Sequence, residues 1–512
     1  MSLGTTFAVS LVGLSGHLVE VQAHLAASVP GFTLVGLPDA ALSESKDRVR
    51  AAIASSGIEW PQRKITVNLS PASLPEAGSG FDLAIAVAML AGARRISVSD
   101  PERVVHIGEL GLDGRLQPVR GVLPAVAAAV AAGLRDVVVP VQDADEARLV
   151  PGARVVGVAS LAEIAALYGA EVPGIVTPTS AARPARTAGP RRSAGDLRDV
   201  LGQEQARRAL EVAAAGGHHL LLVGPPGAGK TMLASRITSI LPDLDESEAV
   251  EVTAVHSVAG VFDPGQGLIR RPPYEDPHHT ATPASIVGGG SGLPRPGAAS
   301  RAHRGVLFLD EAPEFGSRVL QTLRQPLEHG ELVIHRAAGS ARYPARFQLV
   351  LAANPCPCGL GIGKGLECSC SPLVRRRYFA RLSGPLLDRV DVQVEVRPVS
   401  RVDRAGGDDV ESSATVAARV AAARAAARTR LAGTPWGTNA EVPGTWLRER
   451  LGPDPGLLAG IDKALDRGTL SLRGADRVLR LAWTVADLAG RAAPSAGDVG
   501  QGLALRTRGH HG

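Results

Sequence analysis

The stretch "HLLLVGPPGAGKTMLASRI", residues 219–237, constrains this chain more than any other. A short apolar run, a glycine-rich turn and a helix-type sequence follow one another without a gap. The turn runs from Gly224 to Thr231 with the spacing G-x-x-x-x-G-K-[ST]. Glycines at such a turn let backbone N–H groups fold round phosphate oxygens, and the helix start adds positive potential. Gly224, Pro225, Pro226, Gly227, Ala228, Gly229, Lys230, Thr231 and Met232 are therefore read as the ATP-contacting segment. Lys230 is expected at the β/γ-phosphates and Thr231 on Mg2+. A chance glycine turn is the competing reading, and the flanking strand and helix argue against it.

"GVLFLDEAPEF", residues 305–315, supplies a second half. Four apolar residues predict a central strand, which delivers Asp310 and Glu311 at its C-terminal end. Open α/β sheets bind ligands at that end. Asp310 is expected to hold Mg2+ through water, and Glu311 to orient or deprotonate the attacking water.

The length of 512 residues suggests about three domains. Residues 1–172 alternate short strands with Ala-rich helices; "RKITVNLSPASLP" reads as a strand and "FDLAIAVAMLAGA" as a helix. Residues 173–193, rich in Pro, Thr, Ser, Ala and Arg, read as a flexible linker. Residues 194–400 carry the strand, loop and helix pattern, and 401–512 become strongly helical. Hydrophobic residues make up 45% and charged residues 21%, an ordinary globular balance. The net charge of +5 is compatible with a nucleic-acid partner and does not require one. The start lacks a basic, cleavable leader, and no apolar run reaches the ~18 residues a membrane span needs. The expected compartment is the cytoplasm.

All four cysteines, Cys356, Cys358, Cys368 and Cys370, fall in one window with the spacing C-x-C-x9-C-x-C. Clustered thiols in a reducing compartment bind metal more often than they pair. They are read as a structural, tetrahedral Zn2+ site, with four reduced thiols as the alternative. Four thiolates would fill every position, so this metal would not be catalytic. "RRRYFAR", residues 375–381, follows as a basic patch with aromatic residues, a plausible DNA contact.

Together with the phosphate loop, the stretches "GVLFLDEAPEF", "LRQPLEHGELVIHR", "PARFQLVLAANPCPCG" and "LSGPLLDRVDVQVEV" resemble the magnesium-chelatase-type AAA+ ATPases. Within them the chain is similar to the YifB/ComM-like subfamily over almost its whole length. The resemblance implies an α/β fold in three parts: a Lon-protease-like α/β domain, an AAA+ nucleotidase with helices on both faces of its sheet, and a C-terminal helical lid. It implies roles as well. Asn354 looks like the sensor that positions the lytic water. Arg389 looks like an arginine finger acting on a neighbour's ATP, which implies a homo-hexameric ring. Arg473 looks like the second sensor on the lid, with Arg477 as a further candidate. A solvated helix charge is the competing reading for each arginine.

In the Lon-like part, Gly80 stands in the place of the nucleophilic serine and Leu123 in that of the catalytic lysine. A Ser–Lys mechanism needs both groups, so the resemblance implies a scaffold and not a protease. Arg63, Lys64 and Arg115 of this part are candidate phosphate contacts, or simply a solvated surface. Residues 268–305 look like an insertion that projects loops into the pore of such a ring, and 329–350 alternate like a β-hairpin tipped by "AAGS" and flanked by Arg336, Arg342 and Arg346. The segment "RPPYEDPHH" replaces a more basic one of the subfamily; His278 and His279 within it read as exposed turn residues. The implied function is an ATP-driven motor on branched or single-stranded DNA, of helicase or branch-migration type, in the recombination of incoming DNA. A remodeller of proteins is the alternative. Metal insertion into a tetrapyrrole and ATP-regulated peptidase activity fit less well.

Overall fold

The computed structural model describes residues 2–35, 44–71, 79–96, 103–172, 195–290, 294–336, 339–361, 368–382, 384–399, 410–451 and 456–506. The expected linker 173–193, two residues of the hairpin tip, the middle of the cysteine loop and residues 401–409 lie outside these.

The N-terminal body is built on a seven-stranded mixed sheet. Its strands are β1 (Ser2–Val12), β2 (Ser15–Ala26), β3 (Gly31–Val35), β4 (Lys64–Ser70), β5 (Val104–His106), β6 (Asp136–Pro140) and β7 (Arg154–Val158), in the order β3-β4-β2-β1-β5-β6-β7. Alternation puts Val19, Val21, Ala23 and Leu25 of β2 on one buried face, beside Ile65, Val67 and Leu69 of β4. The helix Asp82–Gly92 (α1), apolar almost all round, is buried against that face, as such a helix must be.

The second body has a five-stranded, wholly parallel sheet. Its strands are β8 (Leu220–Val223), β9 (Tyr274–Glu275), β10 (Val306–Leu309), β11 (Gln348–Ala353) and β12 (Val392–Glu395), in the order β9-β10-β11-β8-β12. Successive residues alternate between two cores. Leu220, Leu222, Phe308 and Val350 pack on one face, and Leu221, Leu307, Leu309 and Leu351 on the other. Both faces are covered, which is why these strands read as continuous apolar runs.

The region read as an insertion is partly structural. Tyr274 and Glu275 form the edge strand β9, the Tyr274 ring stacks 6.0 Å from that of Phe308, and Glu275 is ion-paired with Arg301 at 2.8 Å. The hairpin Glu331–Arg336 and Gly339–Pro344 forms as expected. Its inner side chains Ile334, Ala341 and Tyr343 pack against Leu14 of the N-terminal body and Val258. Arg342 at its side pairs with Glu331 at 3.2 Å.

Helix α2 (Glu246–Ala259) bridges the two bodies. Its Ala254 joins Val122, Leu123 and Val126 of the helix Val122–Ala131 in one core, and its Ser257 hydroxyl donates to the buried Glu146 carboxylate. The C-terminal helices α3 (Ser413–Arg430) and α4 (Leu472–Leu488) bury Val416, Val420, Leu481 and Val485 against the helix Glu204–Gly216 and one face of the parallel sheet.

Candidate nucleotide site

Strands β10, β11 and β8 are neighbours, and all run in one direction. The sheet therefore delivers Asp310, Asn354 and the loop from Gly224 to one edge. The loop turns into the helix Lys230–Arg236 through Gly229, whose φ of 88° is a left-handed conformation that side chains resist.

A cavity of about 420 Å3 opens there, lined by Pro226, Gly227, Gly229, Lys230, Thr231, Met232, Asp310, Glu311, Ala353 and Asn354. Lys230 is buried, and its ammonium donates to the carbonyls of Gly224 (2.7 Å) and Pro225 (2.9 Å) and to Asn354 Oδ1 (3.0 Å). Burial lowers its pKa from the ordinary lysine value, against the pull of Asp310 and Glu311. The Thr231 hydroxyl donates to Asp310 Oδ2 at 2.6 Å, and Asp310 Oδ1 accepts the Glu311 N–H at 2.9 Å. A hydroxyl and a carboxylate side by side are hard oxygen donors, the set that suits Mg2+.

Gly224, Pro225 and Ala228 do not line the cavity. The first two turn their carbonyls to Lys230, and the carbonyl of Ala228 accepts from Gln203 Nε2 at 2.6 Å. Gln203 thus braces the loop from outside, and nothing in its sequence neighbourhood marked it. Glu311 has a φ of 50°, and such strain in a non-glycine residue gathers at functional sites. His279 Nδ1 lies 3.4 Å from Glu311 Oε2. The sequence reading of His279 as a plain turn residue missed this contact, since 32 positions separate the partners.

The three arginines stand elsewhere. Arg389 is three-quarters buried at its side chain and pairs with Glu328. Arg473, in the first turn of α4, is exposed and outside the cavity lining. Arg477, one turn on, pairs with buried Asp391 at 2.8 Å. Asp391 precedes β12, so Arg477 is committed to the edge of the sheet opposite the phosphate loop. Its guanidinium is engaged there and does not line the cavity.

The four cysteines converge. All four sulfurs lie within 4.8 Å of one another, and none is in a disulfide. In the N-terminal body Gly80 lies in a single helical turn. Leu123 is buried, and its backbone N–H donates to Glu146 at 3.2 Å. Neither position offers a hydroxyl or an amine. Arg115 is paired with Asp113 at 2.5 Å, while Arg63 and Lys64 are exposed.

A parallel sheet with a phosphate loop after one strand, an Asp–Glu pair after another and an asparagine between them defines an AAA+-type ATPase. Comparison with known proteins narrows the class. The family model "Magnesium chelatase, subunit ChlI" matches residues 196–404, "Subunit ChlI of Mg-chelatase" matches 20–143, and the corresponding C-terminal model matches 410–506. An uncharacterised protein of Mycobacterium tuberculosis is 50% identical over 516 aligned positions, 99% of each chain. YifB of Escherichia coli is 40% identical, covering 95% of this chain and 94% of its own. Competence protein ComM of Haemophilus influenzae is also 40% identical, covering 96% and 94%. The chain belongs to the YifB/ComM-like family of magnesium-chelatase-type proteins. A shorter likeness, 30% identity over 154 residues, links it to Lon protease 2 of Bacillus subtilis.

Proposed function

We propose that this protein is an ATP-driven motor that works on DNA as a homo-hexameric ring, of helicase or branch-migration type, in recombination of incoming DNA. The observation that carries the ATPase part is the pocket that gathers Lys230, Thr231, Asp310, Glu311 and Asn354. On ATP binding, Lys230 would leave the Gly224 and Pro225 carbonyls for the β/γ-phosphates. Thr231 and Asp310 would hold Mg2+, which when bound offsets charge on the phosphate oxygens. Asn354 would orient the attacking water and Glu311 would take its proton. Arg389 would act as an arginine finger on a neighbour's nucleotide and Arg473 as the second sensor on the helical lid; both lie outside their own chain's pocket here.

The DNA part rests on kinship with a relative named a competence protein and on the exposed Arg376 and Arg377 of the helix Pro372–Ala380. No helix among the described residues is long and apolar enough to cross a membrane, and the proposed compartment is the cytoplasm. Residues 1–172 serve as a non-proteolytic Lon-like domain, 173–193 as a linker, 194–400 as the motor and 401–512 as its helical part. Remodelling of proteins is the second reading, favoured by the likeness to a Lon protease.

The test is ATP hydrolysis with and without a synthetic four-way junction, beside a Lys230→Ala control. The motor reading expects stimulation by the junction that the control lacks. Hydrolysis indifferent to branched and single-stranded DNA overturns it in favour of a protein substrate.

A further inference from the structure

The cysteine cluster lies against the phosphate loop. Cys356 follows Asn354 by two residues, and Asn354 holds Lys230. Between the two cysteine pairs the chain turns back through Gly359, whose φ is 80°. A Cβ built on Gly359 would lie 2.6 Å from Cδ and 2.8 Å from Cγ of Pro226. The cysteine loop and the proline of the phosphate loop are therefore in direct contact, with no room for one more methyl group. Pro226 lines the ATP cavity. A Cβ on Gly361 would come within 3.0 Å of Cys356 Sγ and 3.6 Å of Cys368 Sγ, so the chain is closed tightly round the sulfurs as well.

The sulfur geometry suits a tetrathiolate ion. Zn–S bonds of about 2.3 Å in a tetrahedron put the sulfurs about 3.8 Å apart. Cys356 and Cys368 are 3.6 Å apart, as are Cys358 and Cys368, while Cys356 and Cys358 are 3.2 Å apart. Cys356 is fully buried. The second pair is tied onward, since Arg375 Nε donates to the Cys370 carbonyl at 3.2 Å. Among the described residues of this loop only Cys356 and Gly359 are buried, so a cross-link through the thiols would hold its shape.

We propose that the four thiolates hold a Zn2+ ion and that its presence sets the ATP pocket. With the metal bound, residues 356–361 form a firm wall behind Pro226 and fix the strand end that carries Asn354. Without it, the wall slackens and the phosphate loop loses its shape. The ion thus acts on nucleotide binding from outside the pocket and takes no part in the chemistry. The coupling rests on the reading of this pocket as an ATP site.

The full chain, purified without added metal, is assayed for zinc, and its affinity for a fluorescent ATP analogue is measured with Mg2+ present. It is then stripped with a strong chelator, returned to Mg2+ and measured again. The expectation is one zinc per chain, and about tenfold weaker nucleotide binding (about 1.4 kcal/mol) after stripping, restored by Zn2+. The stripped chain should also take up Co2+ with the absorption of a tetrahedral tetrathiolate site. Gly359→Ala serves where stripping unfolds the chain. It should keep its zinc, since no thiol is altered, and still bind nucleotide more weakly, because the added methyl meets Pro226 and strains the left-handed backbone beside it. A chain that neither carries zinc nor takes up Co2+ overturns the site. Equal nucleotide affinity in loaded, stripped and Gly359→Ala protein overturns the coupling while leaving the site. A zinc-loaded chain that binds no nucleotide at all sinks the ATP reading, and the coupling with it, while the zinc assay still decides the metal site.

Discussion

At the C-terminal edge of the parallel sheet, Lys230 donates to Asn354 and Thr231 to Asp310, and all four line one cavity. In the N-terminal body, the two positions that the resemblance would give to a Lon-type nucleophile and base hold Gly80 and Leu123. Among the described residues nothing lies within 4 Å of where a Cβ on Gly80 would stand, and Leu123 is 1% exposed in an apolar core. Both bodies are α/β layers with well-filled cores. One gathers polar groups where its strands deliver them, and the other offers at these two positions a glycine and a hydrocarbon. Scaffold and site are separable, and likeness of fold carries no activity with it.

The comparison breaks most sharply at Glu311. If the first edge is a hydrolytic site, Glu311→Gln should lower ATP turnover by about 10^2–10^4-fold, the size of a general-base contribution, and leave nucleotide binding intact. Single-turnover hydrolysis beside binding of a fluorescent ATP analogue measures both. Wild-type turnover in this variant removes Glu311 from the mechanism.

A third polar cluster sharpens the contrast, because it is structural. At the opposite edge of the same sheet, buried His218 contacts Asp391 at 3.0 Å and Thr484 of α4 at 2.7 Å, while Arg477 closes on Asp391. Burial works to raise the Asp391 pKa, but the His218 hydrogen bond and the charges of Arg477 and Arg480 overcome it. The carboxyl is held well below the usual carboxylate range. A group depressed in this way contributes stability above its unfolded pKa of about 3.9, and that stability is lost as pH falls through the folded value. Asp391→Asn leaves Arg477 without its buried partner and should cost about 3–5 kcal/mol. Thermal melting across pH should show a lower, flatter acid limb in the variant. An unchanged melting profile would mean that the C-terminal helices are held by their apolar faces alone.

The parts of the chain that were legible are those whose meaning is local. The phosphate loop and the Asp–Glu strand were readable because apolar run, turn and polar end are contiguous, and each apolar run is buried on both faces. The helices Asp82–Gly92 and Ser413–Arg430 fell where their composition put them. What stayed hidden depends on distant partners. Tyr274 and Glu275 read as an acidic interruption of a loop, yet two residues suffice for an edge strand when Phe308 and Arg301 wait beside them. Gln203, His279 and the Asp391–Arg477 pair share that difficulty, since nothing local distinguishes a bracing side chain from a solvated one.

His279 gives a smaller effect. Its contact with Glu311 is half-exposed, and an exposed contact of this kind contributes at most about 0.2–1 kcal/mol. His279→Ala should therefore lower kcat by up to about fivefold with nucleotide affinity unchanged. His279→Asn, which keeps a donor near the position of Nδ1, should recover most of the loss. Equal losses in both variants would mark a packing role.

The smallest effect is expected at Gly80, and it bears directly on the N-terminal body. A hydroxyl introduced with Gly80→Ser meets no described residue within 4 Å of its Cβ, and the Gly80 carbonyl keeps the Gly108 N–H it accepts at 3.1 Å. The change in stability should stay within about 0.5 kcal/mol, as for a substitution that disturbs no packed group. No peptidase activity should follow, because a serine hydroxyl attacks only when a base within reach takes its proton. Leu123 offers a hydrocarbon there. An amine placed at 123 would have to enter the core that Val122, Val126 and Ala254 share, where a charged group is expelled or neutralised. The serine variant is therefore assayed alone, by melting and by cleavage of an unfolded protein substrate. Cleavage above the wild-type background would show that another group near residue 80 acts as a base, and that the N-terminal body holds more of a site than Gly80 and Leu123 suggest.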